Sequence, residues 1–380
     1  MKLMHTSDWH VGKVLKGQAR QEEQIAALAA VVAVARDEQP DLVIMAGDLY
    51  DNAAPSPDSQ KIVTRALSAL RATGAEVIVI AGNHDNGAAL DALRSWADAA
   101  GITLRGRVSE KAADHIVSGV TAGGEAWRCI ALPFLSQRFA VRALEMFEMT
   151  QAEAQSTYAD HLQRLLTGIA DEAFTDPDAI NLITAHLTVV GGLVGGGERE
   201  AHTIMGYAVP SMVFPEQTHY VALGHLHRAQ SLIGRCPVRY CGSPIAIDFG
   251  EVENTPSVTM VEVSARTAAV IREVPLPVGI GLRTVRGSLA QLAELETGDA
   301  WLRVVVSESP RAGLREEVQE LLPRALEIRV DPAMLPTDRP SREARAERSP
   351  VDLFNDYLTQ RGHADDATKA LFEKLYSEVS

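Results

Sequence analysis

The chain has 380 residues, 46% of them hydrophobic and 23% charged, with a net charge of −14. This balance excludes a disordered or fibrous chain, and at roughly 150 residues per domain it predicts two or three domains. It also excludes a generic nucleic-acid coat, which needs a basic surface, but not a nuclease whose site is built from carboxylates.

Three cysteines, Cys129, Cys236 and Cys241, form no CxxC pair. That argues against a secreted disulfide framework and against a structural zinc site. The longest apolar run, residues 25–35, is too short to span a bilayer, and the first residues lack a signal-peptide pattern. The expectation is a soluble cytoplasmic protein. Arginine outnumbers lysine; genomic base composition explains this, and phosphate recognition is the alternative.

The first part alternates strand and helix. Strands are predicted at residues 2–7, 41–46 (DLVIMA) and 76–81 (EVIVIA), with helices at 25–36 and 60–73 between them. Weaker strands follow at 127–132, 181–185 and 220–223, with a helix at 152–174 among them. Residues 238–241, 257–263 and 268–274 add β structure. Pro275 and Pro277 mark a boundary. The pattern then restarts as β-α-β-α-β at 283–286, 289–295, 301–307, 314–322 and 326–330. Residues 331–350 hold four prolines and many charges and read as a linker or surface arm.

Two short amphipathic stretches close the chain. Leu353, Phe354, Tyr357 and Leu358 form one apolar helical face, and Leu371, Phe372, Leu375 and Tyr376 repeat its spacing. Arg339, Arg342, Arg345 and Arg348 precede them at every third position.

Five polar clusters each sit where an apolar run ends: Asp8-Trp9-His10, Gly47-Asp48-Leu49-Tyr50-Asp51, Gly82-Asn83-His84-Asp85, His186, and Gly224-His225-Leu226-His227. Singly, each has a plain reading as a helix cap, a turn residue or a packed histidine. Together they predict convergence, because ligands of open α/β sheets bind beyond the carboxyl ends of the strands. Imidazole mixed with carboxylate and amide oxygen suits manganese, iron or zinc better than calcium. Six to eight donors exceed one tetrahedral site and fit two adjacent ions. Metal-assisted phosphoester hydrolysis follows as the reaction class.

The same residues, as Asp-x-His, GDxxD, GNHD, a solitary His and GHxH in this order, resemble the calcineurin-like metallophosphoesterases. The strings SDWHVGK with EEQ downstream, GDLYD, VALGHLHRAQ and CGSPIAIDFGE strengthen the likeness toward the DNA-end nucleases of that family. The resemblance covers most of residues 1–280 and extends loosely beyond.

It implies an α/β, four-layer αββα sandwich over residues 1–277, a small βαβαβ capping and DNA-recognition domain over 278–332, and a linker with partner-docking helices over 333–380. It implies two divalent metal ions, manganese being expected. Asp8, His10, Asp48 and His227 would hold the first, and Asp48, Asn83, His186 and His225 the second, with Asp48 bridging. His84 would be the general acid, oriented by the Asp51 carboxylate. The last string would lie in the sheet region behind the metal half.

The implied partners are an ATPase subunit with a coiled coil, DNA ends and hairpins, and a second copy of the chain within a heterotetramer. A small-molecule phosphodiesterase or phosphatase and a non-catalytic scaffold are the competing readings. Lys13, Lys16, Arg20 and Arg228 read either as phosphate contacts or as solvated charges. The Gly-rich stretch 189–197 reads as a mobile loop or a substrate-facing one. It is not a P-loop, since no Gly-Lys-Ser/Thr follows.

Overall fold

The computed structural model describes residues 1–135, 151–198, 208–335, 354–355, 358 and 366–379. The first part of the chain runs β1 (Lys2–Thr6), β2 (Val14–Leu15), β3 (Gln18–Ala19), α1 (Gln21–Glu38), β4 (Leu42–Met45), α2 (Pro57–Arg71), β5 (Glu76–Ile80), α3 (Gly87–Ala92), α4 (Arg94–Ala99) and β6 (Ile102–Arg105). Next come β7 (Ile116–Val120), β8 (Ala126–Leu132), α5 (Gln151–Ala173), β9 (Ile180–His186), β10 (Tyr220–Gly224), β11 (Gln230–Leu232), β12 (Val238–Tyr240), β13 (Ser257–Glu262) and β14 (Val270–Pro275). The last part holds β15 (Leu282–Gly287), α6 (Leu289–Ala293), β16 (Trp301–Val306), α7 (Leu314–Leu321), β17 (Ala325–Val330) and α8 (Asp366–Val379).

Two six-stranded sheets form, in the orders β14-β13-β1-β4-β5-β6 and β11-β12-β10-β9-β8-β7. Strands β1, β4, β5 and β6 are parallel, as are β8, β9, β10 and β12. Their connecting helices must therefore lie on the sheet faces. Alternation along the strands then sorts the side chains into layers. In β4, Leu42 and Ile44 face the second sheet and meet Trp127, Cys129, Leu182, Tyr220 and Ala222 there. Val43 and Met45 face outward onto α1 and α2, against Leu28, Val31, Val63 and Leu67. The second sheet repeats this: Ile183 and Val221 pack on Leu162, Leu166 and Ile169 of α5. The result is the expected αββα order of layers.

Helix α2 starts where Ser56 accepts the Ser59 N–H at 3.1 Å with Pro57 just inside, a strong N-terminal signal. Strands β6 and β7 and helices α3 and α4 were not predicted. Each is four to six residues long, too short for a clear period.

Strands β15, β16 and β17 form a separate parallel sheet around Val285, Leu292, Leu302, Val304, Val306, Leu314 and Val318. This unit docks through Leu282, Trp301 and Leu326 onto Leu15 and Phe249 of the larger part. The Trp301 indole N–H donates to Glu23 of α1 at 3.1 Å. Arg20 ties the same seam together. It pairs with Glu23 at 2.7 Å and donates to the carbonyls of Ala246 and Ile280. Arg20 is 3% exposed, which corrects its reading as a phosphate contact: it is spent on the seam.

Arg339, Arg342, Arg345, Arg348, Leu353 and Tyr357 lie outside the described residues. Phe354 stacks on Phe372 of α8 with ring centroids 4.0 Å apart, while Leu371 and Leu375 are exposed.

Candidate metal centre

The five polar clusters meet at the carboxyl ends of the inner strands of both sheets. β1 delivers Asp8 and His10, β4 delivers Asp48, and β5 delivers Asn83 and His84. From the second sheet, β9 delivers His186 and β10 delivers His225 and His227. All of these except Asn83 are buried.

Their backbone is strained. Asp8, His10, Asp48 and His225 have φ of 53°, 45°, 56° and 106°, a region that non-glycine residues seldom enter. Such conformations cost of order 1–3 kcal/mol each and cluster at functional sites. The close convergence needs glycines. A Cβ on Gly82 would strike the Asp48 carboxylate, and one on Gly47 the His186 ring.

Ligand-capable atoms gather in three groups that could each hold a metal: Asp8, His10 and His227; His10, Asp48 and His84; and Asp48, His186 and His225. Asp48 belongs to two of the three. Asp48 Oδ2 is 3.5 Å from His10 Nε2 and 3.4 Å from His186 Nε2, a bridging position. His10 Nε2 and His227 Nε2 face each other at 3.1 Å. Asn83 Oδ1 sits 2.9 Å from His186 Nε2 and 2.8 Å from His225 Nδ1. Imidazole, carboxylate and amide donors converging without lysine or arginine among them fit a pair of divalent ions.

The far side of two imidazoles is held: His227 Nδ1 lies 2.8 Å from Glu251, and His186 Nδ1 donates to the Ala46 carbonyl at 2.8 Å. His10 Nδ1 faces the Asp51 carboxylate at 3.7 Å, beyond hydrogen-bond reach. Such outer partners fix the tautomer and aim the other nitrogen inward.

Electrostatics follow from crowding buried carboxylates and imidazoles. Burial opposes charge on His227, but Glu251, Asp8 and Glu198 outweigh it and push its pKa up to about 10. Burial likewise opposes His186, and Asp48 and Asp8 carry it to about 9. Burial dominates at His10 and lowers it to about 4. Asp48 is held well below its ordinary value despite burial, by His186, His10 and His84. Asp8 is raised to about 6 by burial, against His186 and His227.

His84 lies at the rim of the pair. Its ring is T-shaped to His10 with centroids 4.6 Å apart. Its N–H donates to Asp48 Oδ1 at 2.8 Å, and its Nδ1 meets the main-chain carbonyl of Asp51 at 2.7 Å. That corrects the sequence expectation for Asp51: its carbonyl, not its carboxylate, orients His84. The carboxylate faces His10 and pairs with Lys13 at 3.1 Å. Lys16 lies 3.8 Å from Glu327 of the small unit.

Three supporting acids escaped the sequence reading as such. Asp85 accepts the N–H groups of Leu49, Tyr50 and Gly82 at 2.9–3.2 Å, locking the β4 and β5 loops together. Glu251 and Glu198 both hold His227, the latter through its N–H at 3.1 Å. Glu251 ends the CGSPIAIDFGE string, so that string reaches the metal half rather than lying behind it. The EEQ string also acquires roles. Glu23 anchors the small unit, and Gln24 donates to the His10 carbonyl at 3.2 Å while accepting from Gly12 at 3.1 Å. The Gly-rich stretch is hydrogen-bonded to the walls of the site. Val189 N–H donates to Tyr240 at 2.9 Å, Leu193 exchanges two bonds with Gln230, and Gly195 and Gly196 donate to Glu198.

Fold and site together define a metal-dependent phosphoesterase of the calcineurin-like class, and the model of the family Calcineurin-like phosphoesterase matches residues 1–229. A second model, Type 5 capsule protein repressor C-terminal domain, matches residues 280–361. Its curated relatives include D subunits of the nuclease SbcCD. That of Bacillus subtilis is 32% identical over 326 residues, covering 83% of this chain and 81% of that protein. Those of Rhodobacter capsulatus and Escherichia coli are 33% and 30% identical, covering 82% and 78% of this chain and 78% and 74% of theirs. A solved dimetal phosphatase from Danio rerio is 13% identical with a TM-score of 0.46, covering 73% of this chain and 96% of that one. The chain belongs to the SbcD family of calcineurin-like nuclease subunits. No helix among the described residues is long and apolar enough to cross a membrane.

Proposed function

We propose that the chain is the metal-dependent nuclease of an SbcCD-type complex, cleaving double-strand DNA ends as an exonuclease and hairpins or single strands as an endonuclease, in end processing, recombination and repair. The observation that carries this is the bridging place of Asp48 Oδ2, 3.5 Å and 3.4 Å from imidazoles of two separate ligand groups. Asp8, His10, Asp48 and His227 would hold the first ion, and Asp48, Asn83, His186 and His225 the second. Manganese suits this donor set.

Two divalent cations, when bound, polarise the phosphodiester and bring the pKa of water toward neutrality. The protein's own residues do the rest. Asp48 holds the two halves of the site in register through the His84 N–H and the two imidazoles. His84, with Nδ1 committed to the Asp51 carbonyl, presents Nε2 to the leaving oxygen and delivers the proton there, a step typically worth about 10²–10⁴-fold. Asp51 acts on His10 and Lys13 with its carboxylate.

We place the nuclease domain at 1–277, the capping domain at 278–332, and the linker with docking helices at 333–380. The tail fits the coiled coil of an SbcC-type ATPase by laying apolar residues such as Leu371 and Leu375 into a groove. A homodimer within a heterotetramer, in the cytoplasm, completes the proposal.

Incubating the purified chain with labelled linear and hairpin DNA and with a nitrophenyl phosphodiester tests it. Manganese-dependent cleavage of DNA is expected. Hydrolysis of the nitrophenyl ester alone would favour a small-molecule esterase, and inertness toward both a scaffold. Truncation after Ser349 should leave manganese-dependent hydrolysis in place and abolish copurification with the ATPase.

A further inference from the structure

One short segment joins the small three-stranded unit directly to a residue that holds a candidate metal ligand. Asp248 accepts the Gly250 N–H at 2.9 Å and opens a single 3-10 turn, Phe249–Glu251. On one side of the turn, Phe249 is buried against Leu282, and the Arg303 guanidinium lies 4.9 Å from its ring centroid. Arg303 also pairs with Glu327 at 2.6 Å and approaches Asp248 at 3.9 Å. Two residues from Phe249, Glu251 is 1% exposed and uses both oxygens, one on His227 Nδ1 at 2.8 Å and one on the Ile247 N–H at 2.9 Å.

The Gly-rich loop closes the turn from above. A Cβ on Gly196 would stand 2.9 Å from Gly250 Cα, and one on Gly197 the same distance from His227 Nδ1. Glu198 then takes the His227 N–H together with those of Gly195 and Gly196. His227 is thus clasped by two carboxylates, one of them carried by the turn on which the small unit rests.

We infer that Glu251 is a positioning residue for the first metal, and that seating of the small unit on Phe249 and Asp248 sets how tightly that metal is held. This rests on the two-metal reading above. A buried turn with Leu282 and Arg303 on one flank and His227 on the other has little freedom to shift at one end alone. When Arg303 leaves Phe249, the turn loses its outer support, and the Glu251 carboxylate loses its aim on Nδ1. His227 then presents Nε2 less accurately to the ion, while the Asp48, Asn83, His186 and His225 group is untouched. Carboxylate partners of this kind typically govern metal affinity by about 10–100-fold.

The test is manganese titration of the full chain by calorimetry, with melting in chelator as a check on folding. Wild type should take two ions. Glu251→Gln, which is isosteric and keeps an acceptor on Nδ1, should weaken one ion about tenfold, and Glu251→Ala nearer a hundredfold. The second ion should stay unchanged, and the Gln variant should still unfold cooperatively in chelator, at a somewhat lower temperature because its amide nitrogen cannot accept the Ile247 N–H. Arg303→Ala and Phe249→Leu should weaken the same ion several-fold. Neither should add to the loss in a Glu251→Gln background, since coupled residues fail to sum. If both Glu251 variants bind two ions as wild type does, the inference falls and the metal pair stands. If Glu251→Gln weakens one ion but the Arg303 and Phe249 variants do not, or their effects simply sum with it, the link to the small unit is wrong. If wild type takes fewer than two ions, the two-metal reading falls, and this inference with it.

Discussion

The metal-bearing face and the three-stranded unit use their residues in opposite ways. At the site, four non-glycine residues hold positive φ, and carboxylates and imidazoles are buried together. In the small unit, no described non-glycine residue has positive φ. Ion pairs such as Arg311 with Glu317 and Arg324 with Asp299 lie at its surface over an aliphatic core. Strain and buried charge are therefore concentrated where ions and phosphate are handled. The small unit follows ordinary packing rules. The difference teaches that substitutions at the two places should part company: activity without stability at one, stability without direct chemistry at the other.

The widest separation should come at Asp48. Asp48→Asn removes the shared negative charge between two imidazole groups, and hydrolysis should fall by several orders of magnitude with weaker manganese uptake. Circular dichroism should show the fold retained. Full activity in this variant would dissolve the contrast.

His84→Gln comes next. Turnover should drop by about 10²–10⁴-fold, while calorimetry still counts two manganese ions. Loss of one ion would make His84 a ligand instead of a proton donor.

The small unit should answer in the other currency. Leu302 is fully buried in its core, and Leu302→Ala should cost about 2–5 kcal/mol of that unit's stability by denaturant unfolding. Any loss of turnover should track the fraction unfolded and the weakened first metal, not the chemical step.

A smaller effect concerns acid. His5 is buried between the sheets with Nδ1 3.0 Å from the Tyr220 hydroxyl, and burial, then Arg239, lowers its pKa from 6.5 to about 3. Its folded value lies below its unfolded one. The unfolded chain therefore gains a proton first as pH falls, and stability drains between about pH 6.5 and 3. The small unit, residues 278–332, holds no histidine and makes no such contribution. His5→Gln should make the melting temperature fall less steeply over that window, with the buried His10 supplying part of the remaining slope. An unchanged slope would show that His5 is not its source.

Much of this arrangement was legible in the sequence, for a physical reason. Apolar runs such as DLVIMA and EVIVIA announce buried parallel strands. A polar residue just past such a run must stand at the sheet's carboxyl edge. Asp8, Asp48, Asn83, His186 and His225 were all placed that way.

Glu251 and Glu198 were not, because each acts across a turn on a histidine 24 or 29 residues away in the chain. No local period records such a contact. Asp51 was given its role through the wrong atom, since a sequence shows carboxylates and hides carbonyls. Arg20, beside the first motif, reads as a phosphate contact or a solvated charge and is neither, because exposure cannot be read from neighbours in the chain. The spacing of Leu371, Phe372, Leu375 and Tyr376 is that of one face of α8, but the stacking of Phe354 on Phe372 is a tertiary contact that no spacing records.

The central claim is that Asp48 joins two ions into one catalytic pair. Electron paramagnetic resonance of the protein loaded with two equivalents of manganese tests it most directly, because ions about 3.5–4 Å apart and bridged by a carboxylate couple their spins. The account predicts an exchange-coupled multiline spectrum at two equivalents, replaced in Asp48→Asn by isolated six-line signals. Two uncoupled six-line ions in the wild-type protein, or saturation at one ion, would contradict it.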